Sequence, residues 1–279
     1  MTILVIGGTG KSATPLVRLL HQANHPIVLA NRSGTVPAPY TGTRFDWLDP
    51  STYPLPFSTH PDIDRVYLVA PSLIDPYPQV KAFIDYARAR GVRRFVVMSG
   101  SPLEKGQPPM GRVHEYLDGL GVEYCALRPS WFFDNFATQY ADRIRTEDEI
   151  VSAAGDGKLG YVSTEDIADV AFKALVDDVI EHDNPIIVGP ELVSYDQIAD
   201  MLTEVLGRKI THRRLDEAEL KQVMLGRGMP EEYAQMMVAI DGYVAGGGEG
   251  KQFERANVVG KRKIRDFFEA NKDVWRKVD

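Results

Sequence analysis

The chain has 279 residues, of which 44% are hydrophobic and 25% charged, proportions typical of a folded globular protein rather than of a disordered chain. Its 32 basic and 39 acidic residues give a net charge of −7 without any long basic run, which argues against nucleic-acid binding. One cysteine, no N-terminal signal pattern and no apolar stretch of about 20 residues predict a cytoplasmic protein that does not enter a membrane.

Short apolar strands alternate with amphipathic helices over the first half of the chain. The predicted strands cover residues 3–6, 27–31, 43–47, 65–70, 93–100 and 122–129. The predicted helices cover residues 12–24, 79–91 and 110–121. Strands and helices that alternate at this spacing specify a parallel sheet with right-handed crossovers and helices on both faces. The sequence therefore predicts an α/β fold built on a doubly wound Rossmann sheet.

The pattern changes after Pro129. A mostly helical stretch is predicted at 131–150, and Ser163 or Thr164 can cap a helix whose first turn is rich in acids. Further along, we predict strands at 184–189 and 208–215, a helix at 194–207, a flexible loop at 244–252 and amphipathic helices to the end. Residues 1–130 are thus predicted to form an NADP(H)-binding Rossmann core, and residues 131–279 a smaller, mostly helical substrate-binding region. Its segment 149–190 is predicted to return to the core sheet.

A glycine motif follows the first predicted strand directly. Gly7, Gly10 and Ala13 have the G-x-x-G-x-x-[GA] spacing, in which tight-turn glycines let backbone amides meet a pyrophosphate at a helix N-terminus. The motif opens a β-α-β unit, which favours a dinucleotide site over the alternative of a glycine turn without a ligand. Thr9 and Lys11 lie within the same turn and are predicted to contact the cofactor.

The end of the second predicted strand indicates which dinucleotide binds. NAD sites normally place a carboxylate there for the ribose 2′-hydroxyl, whereas this chain has Arg32, whose guanidinium can bind a 2′-phosphate. NADP(H) is therefore the predicted cofactor, and the alternative for Arg32 is an ordinary solvated arginine. Asp46 is predicted to contact the adenine edge, with an ordinary turn aspartate as the alternative.

Several blocks of the chain resemble the NmrA-like atypical short-chain dehydrogenases, and most of all the fungal clavine reductases of ergot-alkaloid pathways, the festuclavine and agroclavine dehydrogenases. The similarity covers nearly the whole chain and rests on MTILVIGGTGKSA, RFDWLDP, YLVAP, GVRRFVVMSGS, EKGQPPMGRVHEYLDGLGVEYCALRPSWFFDNF, GDGKLGYVSTEDIADVAF and GPELVSYDQIADMLTEVLGRKITH. The resemblance implies that Val69, Ala70 and Pro71 flank the cofactor's ribose and pyrophosphate. It also implies that Ser99, Gly100 and Ser101 line the nicotinamide end, with Ser101 on the substrate side.

The catalytic pair of classical short-chain dehydrogenases is missing. Those enzymes carry Tyr-x-x-x-Lys on the helix after the fifth strand, where this chain reads Met110-Gly-Arg-Val-His114. A carbonyl reductase needs a proton donor, whereas an iminium ion accepts hydride and yields a neutral amine without one. The sequence therefore predicts reduction of an imine or iminium. His114 is a candidate replacement for the lysine or a weak acid, with a helix histidine of no chemical role as the alternative. Ser99 and Asp134 complete the predicted catalytic residues.

Aromatic side chains follow Pro129 in the segment RPSWFFDNFATQY. An aromatic wall with one carboxylate, Asp134, suits a flat and cationic indole. Trp131, Phe132 and, further on, Tyr161 are therefore predicted to bind substrate, although such aromatics also serve as ordinary core. No metal site is predicted.

Three classes of function remain open at this point. The first is an NADPH-dependent reductase of an imine or iminium in fungal indole-alkaloid biosynthesis, with a small alkaloid as its partner. The second is a redox-mediated cyclase of a prenylated indole, which would close a ring or perform a Diels-Alder cycloaddition. The third is an NmrA-like redox sensor that binds NADP(H) without turnover. The sequence specifies neither the exact substrate nor the oligomeric state.

Overall fold

The computed structural model describes residues 1–277, and its elements alternate along the first half of the chain. The order is β1 (Thr2–Ile6), α1 (Ala13–Gln22), β2 (Ile27–Asn31), β3 (Thr41–Arg44), α2 (Pro54–Thr59), β4 (Ile63–Leu68), α3 (Tyr77–Arg88), β5 (Arg94–Met98), α4 (Gly111–Leu120) and β6 (Glu123–Pro129). The second half continues with α5 (Ala141–Thr146), β7 (Glu149–Ser152), β8 (Lys158–Leu159), α6 (Thr164–Val176), β9 (Ile186–Val188), β10 (Val193–Ser194), α7 (Tyr195–Leu206), β11 (Thr211–Arg214), α8 (Glu217–Gly226), α9 (Glu231–Ala245), α10 (Gly248–Glu254), β12 (Val258–Val259) and α11 (Ile264–Ala270).

Two compact units divide the chain. The first comprises residues 1–128 and 164–185, and the second comprises residues 129–163 and 186–279. The segment that belongs with the first unit is therefore shorter than the predicted 149–190. Glu149–Ser152 pairs in parallel with β11 instead, and Lys158–Leu159 pairs antiparallel with β10, so both strands form short sheets within the second unit.

The first unit contains six parallel strands in the order β3-β2-β1-β4-β5-β6. The central strand β1 is buried along its whole length, which explains its continuous apolar sequence, since a parallel sheet is covered on both faces. Leu4 and Ile6 share one core with residues of α3 and α4, whereas α1 packs against α6. The predicted α/β class with a parallel Rossmann sheet is thereby confirmed. The carboxyl ends of all these strands meet at one edge.

Helix α6 is fixed to the first unit by two arginines at the opposite ends of the strands. Arg65 donates to the carbonyls of Leu175 and Val176, and Arg94, only 3% exposed, donates to those of Ala174 and Asp177. Both side chains satisfy carbonyls at the helix C-terminus, where positive charge is favourable. No helix of residues 1–277 is long and apolar enough to cross a membrane.

The second unit has its own aromatic core. Phe136 packs against Tyr140, Tyr161 and Phe268, and the buried Trp275 donates its indole N–H to the Phe136 carbonyl. Strands β9 and β12 form a further parallel pair in this unit.

Two predictions for this half of the chain were wrong. The stretch predicted as mostly helical at 131–150 ends in a strand, because Glu149 and Ile150 belong to β7, where the buried Ile150 alternates with half-buried neighbours and pairs with β11. The predicted loop at 244–252 is largely helical: α9 runs to Ala245 and α10 begins at Gly248. The Tyr243 hydroxyl donates to the Gly248 carbonyl and accepts from Gln252, which compensates for the low helix propensity of glycine.

Candidate cofactor and active site

The glycine turn lies at the carboxyl end of β1. Gly10 donates its N–H to the Gly7 carbonyl at 2.8 Å, and Gly7, at φ +76°, adopts the left-handed conformation that favours glycine. A Cβ added at Gly10 would lie 3.1 Å from the Gly7 oxygen and so fill the mouth of the turn. The buried Ala13 starts α1 directly after it. This bare backbone at a helix N-terminus fits a dinucleotide pyrophosphate.

The remaining residues of the turn divide between surface and interior. Thr9 and Lys11 are exposed, as a cofactor contact requires. Ser12 is buried instead, and its hydroxyl accepts a hydrogen bond of 2.9 Å from the Tyr67 hydroxyl. Burial raises the pKa of Tyr67, which keeps that hydroxyl protonated and therefore a donor.

Arg32 follows the last residue of β2 and is exposed. The loop beside it is organised by Asn31, whose side-chain oxygen accepts from the Gly34 N–H at 2.7 Å and whose amide donates to the Thr35 carbonyl at 2.8 Å. Arg32 itself makes no hydrogen bond or ion pair within residues 1–277. Its guanidinium is therefore available to an anion at the end of β2.

Asp46 and the residues after β4 lie at the same edge of the sheet. The Asp46 carboxylate accepts from the Leu48 N–H at 3.0 Å, so one of its oxygens serves the local turn. Ala70 and Pro71 are half-buried and follow Leu68, the last residue of β4. Val69 lies 3.4 Å from the position of a Cβ on Gly7, which places this segment beside the glycine turn.

Ser99 and His114 meet at the carboxyl end of β5. The Ser99 backbone N–H donates to the Leu127 carbonyl, and its hydroxyl lies 2.8 Å from His114 Nε2 on α4. Gly100 accepts from the Leu103 N–H in the turn that follows, and Ser101 is 2% exposed. The structure thus brings the predicted Ser99 and His114 into direct contact.

The His114 ring is fully buried. Burial, followed by the positive charges of Arg128 and Lys105, lowers the pKa of His114 to about 4, while Glu104 acts in the opposite direction. The imidazole is therefore neutral at physiological pH. Its Nδ1 has no hydrogen-bond partner in the part of the chain that the structure describes.

The predicted substrate-binding aromatics belong to the second unit. Phe132 forms a short parallel bridge with Val162, supported by the hydrogen bond of 2.9 Å from the Val162 N–H to the Trp131 carbonyl. Trp131 and Phe132 are half-buried, whereas Tyr161 is 4% exposed and packs against Phe136. Asp134 is half-buried in the first turn of the 3-10 helix Phe133–Ala137. The bridge brings the backbone of Trp131 and Phe132 beside that of Tyr161.

Comparison with known proteins shows to which family the chain belongs. It is 43% identical to agroclavine dehydrogenase of Claviceps fusiformis, over 99% of both chains. It is 41% identical to festuclavine dehydrogenase of Aspergillus fumigatus, again over 99% of both. The chain belongs to the family of the agroclavine and festuclavine dehydrogenases. No protein-family model matches it.

Solved structures agree on the fold of this dehydrogenase family member. The triphenylmethane reductase of Citrobacter, crystallised with NADP(H), superposes with a TM-score of 0.73 at 21% identity, over 100% of this chain and 97% of that one. Membership of the family makes the chain an oxidoreductase by class.

Sequence reasoning missed one buried side chain of this dehydrogenase site. Arg128, at the end of β6, is 3% exposed and makes a two-pronged ion pair with Glu104, at 2.9 and 3.1 Å. It also donates to the Ser101 carbonyl at 2.6 Å, which holds the segment after β5 in place. The sequence signal was weak, because an arginine before a proline gives no indication of its burial.

A second missed residue is Arg44, the last residue of β3. The register of β2 and β3 places Asn31 opposite Arg44, so Arg44 reaches the same edge as Arg32. Arg44 lies 3.4 Å from the Asp49 carboxylate, unlike Arg32. Its position depends on the pairing of two strands and is not visible in the linear motif.

Proposed function

We propose that this family member is an NADPH-dependent reductase of an imine or iminium intermediate in fungal indole-alkaloid biosynthesis. The observation that carries the proposal is the neutral, buried His114 at the helix position where classical relatives carry their tyrosine and lysine. A histidine with a pKa of about 4 is a poor proton donor at neutral pH, and an iminium carbon requires none.

NADP(H) is the cofactor in this proposal. Gly7, Thr9, Gly10 and Lys11 hold the pyrophosphate, and Arg32 holds the 2′-phosphate. Asp46, Ala70, Pro71, Ser99 and Gly100 complete the dinucleotide site. The reduced nicotinamide, when bound, supplies a hydride. The glycine turn and the uncommitted Arg32 support this assignment, as does the NADP(H) bound to the similar triphenylmethane reductase.

The substrate is a small cationic alkaloid whose electrophile is already formed. Trp131 and Phe132, which are half-buried, present aromatic faces to it, since such faces attract cations, and the Asp134 carboxylate complements its charge. Tyr161 supports them from the core, where it packs against Phe136. Ser101 contributes a polar contact. The names of the relatives, agroclavine and festuclavine dehydrogenase, support an alkaloid of the clavine type.

The test is NADPH consumption with a panel of cyclic iminium salts and ketones matched to them in shape. We expect oxidation of NADPH with the iminium compounds and none with the ketones, at a rate that does not change between about pH 6 and 8, because His114 does not titrate there. Reduction of ketones at equal rates would overturn the proposal. Binding of NADPH without any turnover would instead support the redox sensor or a redox-neutral cyclase.

A further inference from the structure

The hydrogen bond between Ser99 and His114 has a defined donor and a defined acceptor. The catalytic consequence of this inference rests on the proposed function. We propose that His114 is a positioning residue whose Nε2–H donates to Ser99 Oγ, so that the Ser99 hydroxyl donates its own proton to an acceptor oxygen of the bound ligand. The ligand atom recognised here is thus an oxygen acceptor, belonging either to the cofactor or to the substrate.

The first step of the argument concerns where the single ring proton resides. A neutral imidazole has one N–H and one bare nitrogen. If the proton were on Nδ1, a fully buried donor would have no partner within residues 1–277, and Nε2 would accept from Ser99. If the proton is on Nε2, it forms the 2.8 Å hydrogen bond to Ser99 Oγ, and only the lone pair of Nδ1 remains without a partner. We take an unpaired buried donor as the costlier defect, because buried N–H groups without a partner are rarer in folded proteins than incompletely satisfied acceptors.

The second step concerns the charge of the ring. Arg128 of β6 and Lys105, from the segment between β5 and α4, both oppose protonation of His114. Glu104 favours it, but its carboxylate is bound by both terminal nitrogens of Arg128. The imidazole therefore carries one proton rather than two, and the direction of its bond to Ser99 is a meaningful choice.

The third step concerns what remains for Ser99. Its backbone is fixed by the bond from its N–H to the Leu127 carbonyl. Its hydroxyl oxygen accepts from His114, so the hydroxyl proton is free to rotate toward the carboxyl edge of β5, where the proposed cofactor and substrate bind. His114 thus acts through Ser99 and transfers no proton itself.

The direct test is the protonation state of the His114 nitrogens, read by long-range ¹H–¹⁵N NMR of the ¹⁵N-histidine protein at neutral pH. We expect a proton on Nε2 and a bare Nδ1, in the free protein and with NADPH. A proton on Nδ1, or on both nitrogens, would overturn the proposal. This measurement needs no turnover, so it distinguishes failure of this inference from failure of the proposed function.

Matched variants supply the second test. His114→Gln keeps an N–H donor near the Nε2 position, whereas His114→Leu has a similar volume without a donor. We expect His114→Leu and Ser99→Ala each to lower kcat/KM about tenfold, the size of one net hydrogen bond. The double variant should lose no more than either single variant, and His114→Gln should stay within about threefold of the native protein.

The same variants identify the ligand oxygen. A weaker Kd for NADPH in Ser99→Ala assigns the oxygen to the cofactor, whereas an unchanged Kd with a lower kcat/KM assigns it to the substrate. Equal damage from His114→Gln and His114→Leu, with a harmless Ser99→Ala, would contradict a role through Ser99. Circular dichroism confirms that each variant is folded, and where His114→Leu is not, the NMR result decides alone.

Discussion

At the scale of single residues, we propose that Arg32 decides which dinucleotide is preferred. It is exposed and uncommitted at the end of β2, whereas Arg44 beside it is engaged by Asp49. We expect the protein to prefer NADPH over NADH by at least about tenfold, since a fork-like guanidinium contact to a phosphate is worth at least that factor. Arg32→Ala should remove most of the preference and leave the Kd for NADH nearly unchanged.

The matched control is Arg44→Ala, measured in the same fluorescence titrations. It should keep the preference for NADPH, because Arg44 is already paired. Equal losses of both cofactors in Arg32→Ala would show a structural role for that residue. A loss of preference in Arg44→Ala alone would move the 2′-phosphate contact to β3.

Gly10 is the residue at which we expect the backbone and the pyrophosphate to approach most closely. A side chain there would begin 3.1 Å from the Gly7 oxygen and extend into the space that the phosphates need. We expect Gly10→Val to weaken NADPH binding at least about 100-fold while the far-ultraviolet circular dichroism stays native. Gly119→Val is the control, because a Cβ on Gly119 meets no atom within 4 Å. A folded Gly10→Val that titrates normally with NADPH would refute this placement of the site.

At the scale of elements, a Ser–His–Asp chain joins three pieces of the second unit. Ser152 of β7 lies 2.8 Å from His212 Nε2 on β11, and His212 Nδ1 lies 2.7 Å from the Asp196 carboxylate on α7. The arrangement has the polarity of a hydrolase triad. Ser152 and the His212 side chain are each only 1% exposed, however, so no substrate reaches the hydroxyl. We assign these hydrogen-bonded residues a role in the stability of the second unit.

We therefore expect His212→Ala to lower the free energy of unfolding by about 2–4 kcal/mol, because it creates a cavity and leaves the buried Ser152 hydroxyl with only the hydrogen bond from the Ala154 N–H. The Kd for NADPH should not change. Urea unfolding gives the first quantity and fluorescence titration the second. His182→Ala is the control, since that side chain is 41% exposed. Ester hydrolysis that disappears in His212→Ala would contradict the structural role.

At the scale of the whole molecule, a buried carboxyl makes stability depend on pH. Asp241 is 6% exposed, and burial raises its pKa to about 6, although the hydrogen bond from the Ala153 N–H acts in the opposite direction. The folded protein thus holds this proton more tightly than the unfolded chain does. Its contribution to stability is full below about pH 4 and is lost as the pH rises through 6.

Asp241→Asn keeps an acceptor for the Ala153 N–H and removes the ionisation. The rise in the pKa of Asp241 from its ordinary value of 3.8 to about 6 corresponds to about 3 kcal/mol. The variant should therefore be more stable than the native protein by up to that amount at pH 7.5 and equal to it near pH 4. Urea unfolding at both pH values measures the difference, in which the separate contribution of His114 cancels. Asp200→Asn, at a side chain 71% exposed, serves as control. A constant difference at the two pH values would contradict the assignment.

The sequence determined the sheet of the first unit and the position of its glycine turn. Buried parallel strands need continuous apolar runs, and their helices need apolar residues with a 3.6-residue period. Both patterns can therefore be recognised in short segments of the sequence. Gly7 and Gly10 can also be recognised locally, because a tight turn that approaches a phosphate requires glycine whatever the tertiary contacts are. The position of Arg32 was also predictable locally, because this residue directly follows the second predicted strand.

Only the tertiary structure decided the rest. Strand β7 and helix α10 were mispredicted because their partners, β11 and Tyr243, are distant or outside the local period. The contact of Ser99 with His114 and the burial of Arg128 require β5, β6 and α4 to be packed together. The neutral state of His114 follows from that burial and from the charges that packing brings near it. The type of a side chain determines which proton it can bind. Only its surroundings in the folded protein determine its pKa, and so whether that proton is bound.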